Sequence, residues 1–148
     1  MMPEVLFCFA DWDARCAEFR EIVKAVCKKY EINYNEANDN SEDFKAHRVV
    51  SVPTTLFIKE KTEVGRITGF DVPALKTFAE RLHQDKLNLE RKLRALIGKE
   101  KVMVFIKGTP EDPKCKFTRA LLELFKEHHV NDFGYFNILS DEEVRIGT

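Results

Sequence analysis

The residue with the clearest potential for chemistry is Cys115, which follows a loop and precedes a helical pattern. Residues 102–106 form a short β-branched and aromatic run that is typical of a buried strand. Glycine and proline residues then interrupt the strand before the cysteine. An apolar set at helical spacing follows the thiol: Phe117, Ala120, Leu121, Leu124, Phe125 and His128. A helix N-terminus favours the thiolate, and Lys107, Lys114 and Lys116 add positive charge, so the pattern predicts a reactive or metal-binding thiol.

The other three cysteines, Cys8, Cys16 and Cys27, lack the paired spacing of a zinc site. Cys8 lies within the apolar run of residues 4–10, and Cys27 lies near the core of a predicted helix. We assign no chemistry to these two, because a free cysteine often packs as a small hydrophobic residue. The cysteines together favour a reducing compartment with free thiols, the cytosol first and the nucleus second.

Composition excludes several classes of protein. The 148 residues are 44% hydrophobic and 33% charged, which is typical of a soluble globular protein with one domain or two very small ones. The formal net charge of −1 gives no overall field that would attract nucleic acid or an anionic membrane. No apolar run approaches the roughly 20 residues that span a bilayer, and the N-terminal residues lack a basic leader, so they do not form a signal peptide.

The first half of the chain predicts a strand–helix–strand–helix order, followed by a hairpin and another helix. Strands are expected at residues 4–10, 32–37, 54–59 and 64–70, with a turn at 60–63. Asp13 is the expected N-cap of the first helix, and a short helix is expected within residues 41–48. The last helix carries Leu75, Phe78, Ala79 and Leu82 at helical spacing. This order indicates an α/β fold with a mixed central sheet flanked by helices.

The segment around Cys115 resembles the active site of the monothiol glutaredoxins. That family has a Lys-Gly-Thr-Pro loop, a proline two residues before the cysteine, and then Cys-Gly-Phe-Ser. This chain has Lys107-Gly108-Thr109-Pro110, Pro113 and Cys115-Lys116-Phe117-Thr118, and the similarity continues through residues 136–145. Two positions depart from the pattern. Thr118 replaces serine but keeps a hydroxyl, whereas Lys116 replaces glycine and puts a long charged side chain beside the thiol.

The first half resembles the thioredoxin-like domain of multidomain monothiol glutaredoxins of the PICOT type. Trp12-Asp13-Ala14-Arg15-Cys16 is similar to the thioredoxin sequence Trp-Cys-x-x-Cys, with Asp13 in place of the attacking cysteine. Ser51-Val52-Pro53-Thr54 resembles the loop that carries the cis-proline of that fold. Without the attacking cysteine, dithiol exchange is not expected. Cys16 is then either a lone thiol that forms mixed disulfides or a partly buried remnant, and the second interpretation is favoured because its activating partners are missing.

The resemblance implies two domains of thioredoxin-like fold, the second of them truncated. We predict a thioredoxin-like domain at residues 1–84 and a partial monothiol glutaredoxin-like domain at residues 85–148, with a joint at 85–88 that a continuous helix could cross. The second domain is expected to have a strand at 133–139 and a last helix with Ser140 and Glu143 as a capping box. Because a complete glutaredoxin has a further hairpin and helix, we expect this half to need a partner surface. Domain swapping, homodimerisation or packing on the first domain would supply it.

The resemblance also implies a ligand set. The thiolates of Cys115 and of glutathione would ligate a [2Fe–2S] cluster shared between two protomers, with Cys115 as the metal ligand from each chain. Lys107 aligns with the family lysine that contacts a glutathione carboxylate, and Phe117 and Thr118 would shape the pocket. The implied partners are therefore glutathione, a second copy bound through the bridging cluster, and a BolA-like protein.

Three functions from different classes follow, with Cys115 and Cys16 as the candidate catalytic thiols. The first is a role in iron–sulfur cluster or iron trafficking and in redox homeostasis, in which a single thiol works with glutathione. The second is a glutathione-dependent monothiol oxidoreductase, in which Cys115 forms and releases mixed disulfides. The third is a non-catalytic interaction module that docks a protein segment beside Trp12 and Pro53.

Overall fold

A computed structural model describes residues 2–148 of the chain and divides it into two compact units, Met1–Lys86 and Leu87–Thr148. The first unit begins with β1 (Glu4–Phe9), α1 (Ala14–Lys29), β2 (Asn33–Asn38) and α2 (Glu42–Ala46). It continues with β3 (Thr54–Lys59), β4 (Thr62–Thr68) and the start of α3 (Val72–Ile97). The remaining elements are β5 (Met103–Ile106), α4 (Lys116–Glu127), β6 (Gly134–Asn137), a 3₁₀ turn (Ile138–Ser140) and α5 (Glu142–Gly147).

The sheet of the first unit has the strand order β2-β1-β3-β4. Strand β1 runs parallel to β2 and antiparallel to β3, and β3 runs antiparallel to β4. The parallel pair is joined by α1, because a parallel connection needs a crossover, whereas β3 and β4 form a hairpin. The predicted mixed sheet with flanking helices is thus confirmed.

Strand β1 is the centre of the first unit because both of its faces are buried. Val5 and Phe7 point into a cluster with helices α1 and α3, which includes Phe19, Val23, Phe57, Leu75 and Ala79. Leu6 and Cys8 lie on the opposite face, in a smaller cluster with Ala37, Leu56 and Ile58 that Phe44 and Val49 cover. The alternation of side chains along a strand explains why this run is apolar at every position.

Three predicted strands of the first unit have different bounds in the structure. Strand β1 ends at Phe9 rather than at residue 10, and β2 covers Asn33–Asn38 rather than residues 32–37. The β3–β4 turn consists of Glu60 and Lys61, with φ angles of 54° and 65°, so β4 covers Thr62–Thr68 rather than residues 64–70. The predicted turn at 60–63 was two residues too long, because tight hairpin turns with positive φ usually contain glycine or asparagine.

The second unit contains two parallel strands, β5 and β6, connected by α4. The strand expected at 133–139 ends at Asn137, where the 3₁₀ turn begins. The expected capping box at Ser140 is wrong. Asp141 caps α5 instead and accepts a hydrogen bond from the backbone N–H of Val144, whose side chain is fully buried.

The predicted joint at residues 85–88 lies within the continuous helix α3. The helix ends at Ile97, and Gly98 follows it. In residues 2–148, no helix combines the length and the apolar character that crossing a membrane requires.

Candidate functional site

The loop before Cys115 is closed by backbone hydrogen bonds. The N–H of Lys114 donates to the carbonyl of Lys107 at 2.8 Å, and Gly108 pairs with Pro113 in an isolated β-bridge. Gly108 has a φ of +93°, and a Cβ atom there would lie 2.3 Å from the carbonyl oxygen of Asp112. Only glycine therefore fits this position, and the loop returns the chain to the end of β5 directly before the cysteine.

Asn137, at the end of the neighbouring strand β6, holds the loop before Cys115 in place through hydrogen bonds. Its side-chain oxygen accepts hydrogen bonds from the N–H groups of Gly108 and Leu139, both at 3.0 Å. The sequence analysis did not single out Asn137 as a site residue. A polar residue at the end of an otherwise aromatic strand was the available signal, because such an amide can satisfy backbone groups of an adjacent loop.

Cys115 is the N-cap of α4. Its sulfur accepts a hydrogen bond from the backbone N–H of Thr118 at 3.4 Å and lies 3.1 Å from the Thr118 hydroxyl oxygen. The N–H of Lys107 donates to that same hydroxyl oxygen at 3.2 Å. A thiolate sulfur can only accept, so when Cys115 is ionised the hydroxyl proton of Thr118 is directed towards the sulfur. The buried Thr118 can thus supply two donors to the thiolate.

These contacts favour the thiolate form of Cys115. Hydrogen bonds from the hydroxyl and then the backbone N–H of Thr118 lower the pKa of the Cys115 thiol, because they stabilise the charged sulfur. Desolvation opposes this shift, while the N–H of Phe117 and the positive charge of Lys107 lower the pKa further. The sulfur is half-buried, so it remains accessible to a reaction partner.

Lys116 and Phe117 lie at the exposed start of α4. Phe117 is 75% exposed, so the apolar set of this helix is not buried at its first position. The ammonium group of Lys116 lies 5.1 Å from the centroid of the Phe117 ring, a cation–π contact. Thr118 contacts both Cys115 and the backbone N–H of Lys107, whereas the Phe117 side chain is largely exposed to solvent.

The equivalent helix start in the first unit has an aspartate instead of a cysteine as its N-cap. Asp13 caps α1, accepting from the backbone N–H of Arg15 at 3.0 Å, and its carboxylate also pairs with the Arg15 guanidinium at 2.6 Å. Cys16 is only 2% exposed. The Val52–Pro53 peptide bond is cis, in agreement with the resemblance of that loop. The sequence predicted Asp13 as an N-cap but did not predict that Arg15 neutralises its carboxylate.

Cys8 and Cys27 are buried within the first unit. Burial raises the pKa of Cys8 to about 11 and that of Cys27 to about 12. Both thiols are therefore protonated near neutral pH and pack as apolar groups.

Within residues 2–148, no group of three or more His, Cys, Asp or Glu side chains is arranged to hold a metal ion. Cys115 offers a single soft sulfur donor. Any cluster bound there would need its other ligands from outside this chain.

The fold is that of the thioredoxins. Thioredoxin O2 from Arabidopsis thaliana matches with a TM-score of 0.51 and 24% identity, covering 55% of this chain and 76% of that chain. Thioredoxin 1 from Thermosipho africanus matches with a TM-score of 0.52 and 16% identity, covering 56% and 97%. At these identities the comparison establishes architecture alone, and it defines the chain as a thioredoxin-fold protein.

Sequence comparison finds a narrower similarity within that fold. Glutaredoxin 3 from Danio rerio is 31% identical over 152 residues, 93% of this chain and 46% of the relative. Glutaredoxin-3 from Homo sapiens is 30% identical over 157 residues, 97% of this chain and 47% of the relative. Monothiol glutaredoxin-4 from Saccharomyces cerevisiae is 27% identical over 176 residues, 95% of this chain and 72% of the relative. No protein-family model matches the chain.

Over most of its length, the chain is therefore similar to monothiol glutaredoxins, which confirms the resemblance. It spans about half the length of the two animal proteins.

Proposed function

We propose that Cys115 is the working thiol of a monothiol glutaredoxin-like protein that acts with glutathione in iron–sulfur cluster or iron trafficking and in redox homeostasis. The observation that carries this proposal is the placement of the sulfur at the start of α4, where Thr118 donates two hydrogen bonds to it. The proposed location is the cytoplasm, with the nucleus as a second compartment, because the chain uses free thiols.

The surroundings of Cys115 fit glutathione, a thiol tripeptide with two carboxylates. The Lys107 side chain is exposed at the end of β5, and its charge is close enough to affect the pKa of the thiol. A carboxylate of glutathione would pair with this ammonium while its sulfur meets Cys115. Phe117 and Thr118 are the proposed walls of the site, with Thr118 fixed by burial and Phe117 free to cover a ligand.

A single thiolate per chain also fits a cluster shared between molecules. Thiolate sulfur is the donor that iron–sulfur clusters prefer, and four such donors complete a [2Fe–2S] centre. Cys115 would supply one donor, glutathione a second, and a second protomer with its own glutathione the other two. A BolA-like protein is the proposed alternative to the second protomer.

Anaerobic reconstitution with iron, sulfide and glutathione tests this proposal. We expect a coloured species that elutes as a dimer from a sizing column and that is absent in Cys115→Ser. Cys16→Ser is the matched control, because it removes a thiol from an equivalent helix start in the first unit. A protein that stays colourless, or colour that persists in Cys115→Ser, would contradict cluster binding at Cys115.

The favoured thiolate at Cys115 supports one second candidate, a glutathione-dependent monothiol oxidoreductase. The Cys115 thiolate would attack the disulfide of a glutathionylated substrate, taking up the glutathione and releasing the substrate thiolate. A second glutathione thiolate would then attack the mixed disulfide, releasing oxidised glutathione and restoring Cys115. Turnover of a glutathionylated peptide that disappears in Cys115→Ser supports this activity, and absence of turnover in the unmodified chain excludes it.

We further propose that residues 1–84 form a thioredoxin-like domain and residues 85–148 a partial glutaredoxin-like domain. The two compact units, which divide between Lys86 and Leu87, support this division. Expression of residues 1–84 alone tests it, with cooperative thermal unfolding expected and a molten or aggregated product as the contrary result.

A further inference from the structure

The loop before Cys115 closes on itself through backbone hydrogen bonds. The N–H groups of Thr109 and Asp112 each donate to the carbonyl oxygen of the other residue, both at 3.1 Å. The N–H of Lys114 donates to the carbonyl of Lys107 at 2.8 Å. These bonds hold the shape of the loop, but they do not fix its position relative to β6 and α4. Contacts with those two elements are needed for that.

Two consecutive N–H groups connect the closed loop to the neighbouring elements. The N–H of Lys107 donates to the hydroxyl of Thr118 in α4 at 3.2 Å. The N–H of Gly108 donates to the side-chain oxygen of Asn137, at the end of β6, at 3.0 Å. The second bond controls orientation, because Gly108 has a φ of +93° and no side chain, so the peptide unit before it can rotate at little steric cost.

The Lys107–Gly108 peptide unit is held at both of its polar groups. Its N–H donates to Asn137, and its carbonyl accepts from the N–H of Lys114. The two groups point in opposite directions in a trans peptide, so rotation of this unit would break both hydrogen bonds together. Lys114 directly precedes Cys115, and the next N–H towards the N-terminus contacts Thr118 in the first turn of α4. A single peptide unit therefore connects Asn137 to the chain on both sides of the thiol.

Asn137 is itself held in one orientation. It is the register partner of Ile106 in the parallel strand pair, and its backbone carbonyl accepts from the Ser140 hydroxyl at 2.6 Å. Its side-chain oxygen accepts from the N–H of Leu139 as well, at 3.0 Å. Because both groups that face the amide are N–H donors, the atom that faces them is the oxygen and not the nitrogen. The acceptor therefore faces the loop in a fixed direction.

We propose that Asn137 is a positioning residue for Cys115, because it fixes the Lys107–Gly108 peptide unit that holds the chain on both sides of the thiol. Within residues 2–148, no hydrogen bond joins Asn137 to the sulfur, so its effect passes through Lys107 and Thr118. With Asn137 in place, the Lys107 N–H stays on the Thr118 hydroxyl, and the Lys107 charge stays close enough to stabilise a thiolate. The effect on glutathione rests on the function proposed above, whereas the effect on the reactivity of the sulfur does not.

Asn137→Leu removes the acceptor with a small change in side-chain volume. Alkylation of Cys115 by iodoacetamide, measured in the full chain near neutral pH by peptide mass spectrometry, should slow at least about three-fold. The thiolate is the reacting form, and a change of this size lies within the range that one hydrogen bond supplies. An alkylation rate equal to that of the unmodified chain in folded Asn137→Leu would overturn the positioning role.

Ser140→Ala is the matched control for a merely structural role. It removes the hydrogen bond from the Ser140 hydroxyl to the Asn137 carbonyl and so loosens the same 3₁₀ turn, but it leaves the Gly108 bond in place. We expect a lower melting temperature and an unchanged alkylation rate. If Ser140→Ala slowed alkylation as much as Asn137→Leu, the effect would come from the stability of the turn, and the positioning role would be overturned.

A double variant tests the route through Thr118. In Thr118→Val the hydroxyl that Lys107 contacts is gone, so adding Asn137→Leu should slow alkylation less than Asn137→Leu does alone. Equal slowing in both backgrounds would contradict this route.

Asn137→Asp tests the position if leucine prevents folding, because a carboxylate oxygen accepts from the same two N–H groups. Its added charge is screened in about 1 M salt. Under that condition its alkylation rate should stay within about two-fold of that of the unmodified chain. A larger loss would overturn the assignment, since the acceptor is retained.

Oxidised glutathione, used as a second reagent, separates the positioning role from the proposed function. Its attachment to Cys115 should slow in Asn137→Leu along with alkylation. If alkylation follows the expected order while glutathione leaves Cys115 unmodified in every protein, Asn137 keeps its role and the function proposed for Cys115 fails.

Discussion

One hydroxyl group, that of Thr118, connects the sulfur of Cys115 to the end of β5. It accepts from the N–H of Lys107 and lies 3.1 Å from the sulfur, to which it donates once Cys115 is a thiolate. The sequence predicted the position of the thiol and its helix, because glycine, proline and apolar spacing are local signals. It did not predict this connection, since the Lys107 N–H belongs to the end of a strand that only the fold brings to the helix.

Thr118→Val removes the hydroxyl with little change in side-chain volume. We expect the pKa of Cys115 to rise towards its ordinary value, because the largest stabilising contact of the thiolate is lost. The midpoint for thiolate formation, followed by ultraviolet absorbance against pH, should therefore move upwards. Thr118→Ser retains the donor and should behave as the unmodified chain, whereas identical midpoints in all three proteins would contradict the assigned hydrogen bond.

Substitutions of Lys107 and Lys116 provide a second test, in which the effect of one on Cys115 is compared with the effect of the other. The charge of Lys107 lowers the pKa of Cys115, whereas the Lys116 ammonium lies over the ring of Phe117. Alkylation of Cys115 by iodoacetamide near neutral pH should therefore be slower in Lys107→Ala and less affected in Lys116→Ala. A larger loss in Lys116→Ala would show that the residue replacing the family's glycine sets the reactivity of the thiol.

At the scale of elements, the two helix starts differ in the residue that caps them. Cys115 caps α4, whereas Asp13 caps α1 and is held by Arg15. The sequence correctly predicted Asp13 as the N-cap of α1. For α5 it predicted Ser140 instead of Asp141, because both residues are good N-caps and they are adjacent in sequence. The choice depends on the 3₁₀ turn that uses Ser140, where its hydroxyl donates to the carbonyl of Asn137 at 2.6 Å.

Asp13 should make the first unit sensitive to acid. The hydrogen bonds from Arg15 hold the pKa of Asp13 below its ordinary value, so the unfolded chain binds its proton more readily. The stabilisation is complete above the ordinary pKa of about 4 and is lost as pH falls through the lower folded-state value. Urea unfolding of Asp13→Asn should show a flatter dependence of stability on pH in this acidic range. An unchanged slope would contradict the role of the ion pair.

Gly65 tests how closely β4 packs against α3. A Cβ atom at Gly65 would lie 2.2 Å from the ring of Phe78, which stacks on Phe57 in the core. Gly65→Ala should therefore reduce the free energy of unfolding by about 1–3 kcal/mol, as expected for overpacking. Gly98→Ala, where the nearest atom is 3.4 Å away, is the control and should change it by less than about 0.5 kcal/mol. Equal effects would contradict the close contact.

At the scale of the whole molecule, the two units differ in how well their central strand is covered. The β1 side chains from Val5 to Cys8 are buried, whereas those of β5 from Met103 to Phe105 are only half-buried. The mixed sheet of the first unit was predictable from the sequence, because its strands and helices follow one another in a characteristic order. The need of the second half for a partner surface stays a prediction.

Hydrogen exchange tests whether the second unit needs a partner surface. Amides of β5 and β6 should exchange faster than those of β1 and β3, since a two-stranded sheet with half-exposed side chains opens locally at lower cost. If a second copy covers the second unit, its exchange should slow as protein concentration rises, while that of the first unit stays constant. Exchange that is equally slow in both units at every concentration would contradict the prediction.

Cys115, alone among the four cysteines, is proposed to work with glutathione. The most direct measurement is peptide mass spectrometry after brief exposure of the chain to oxidised glutathione near neutral pH. We predict one glutathione, attached to the peptide that contains Cys115, because its thiolate is favoured while Cys8, Cys16 and Cys27 are buried. An unmodified Cys115, or modification of Cys16 at an equal rate, would contradict the account.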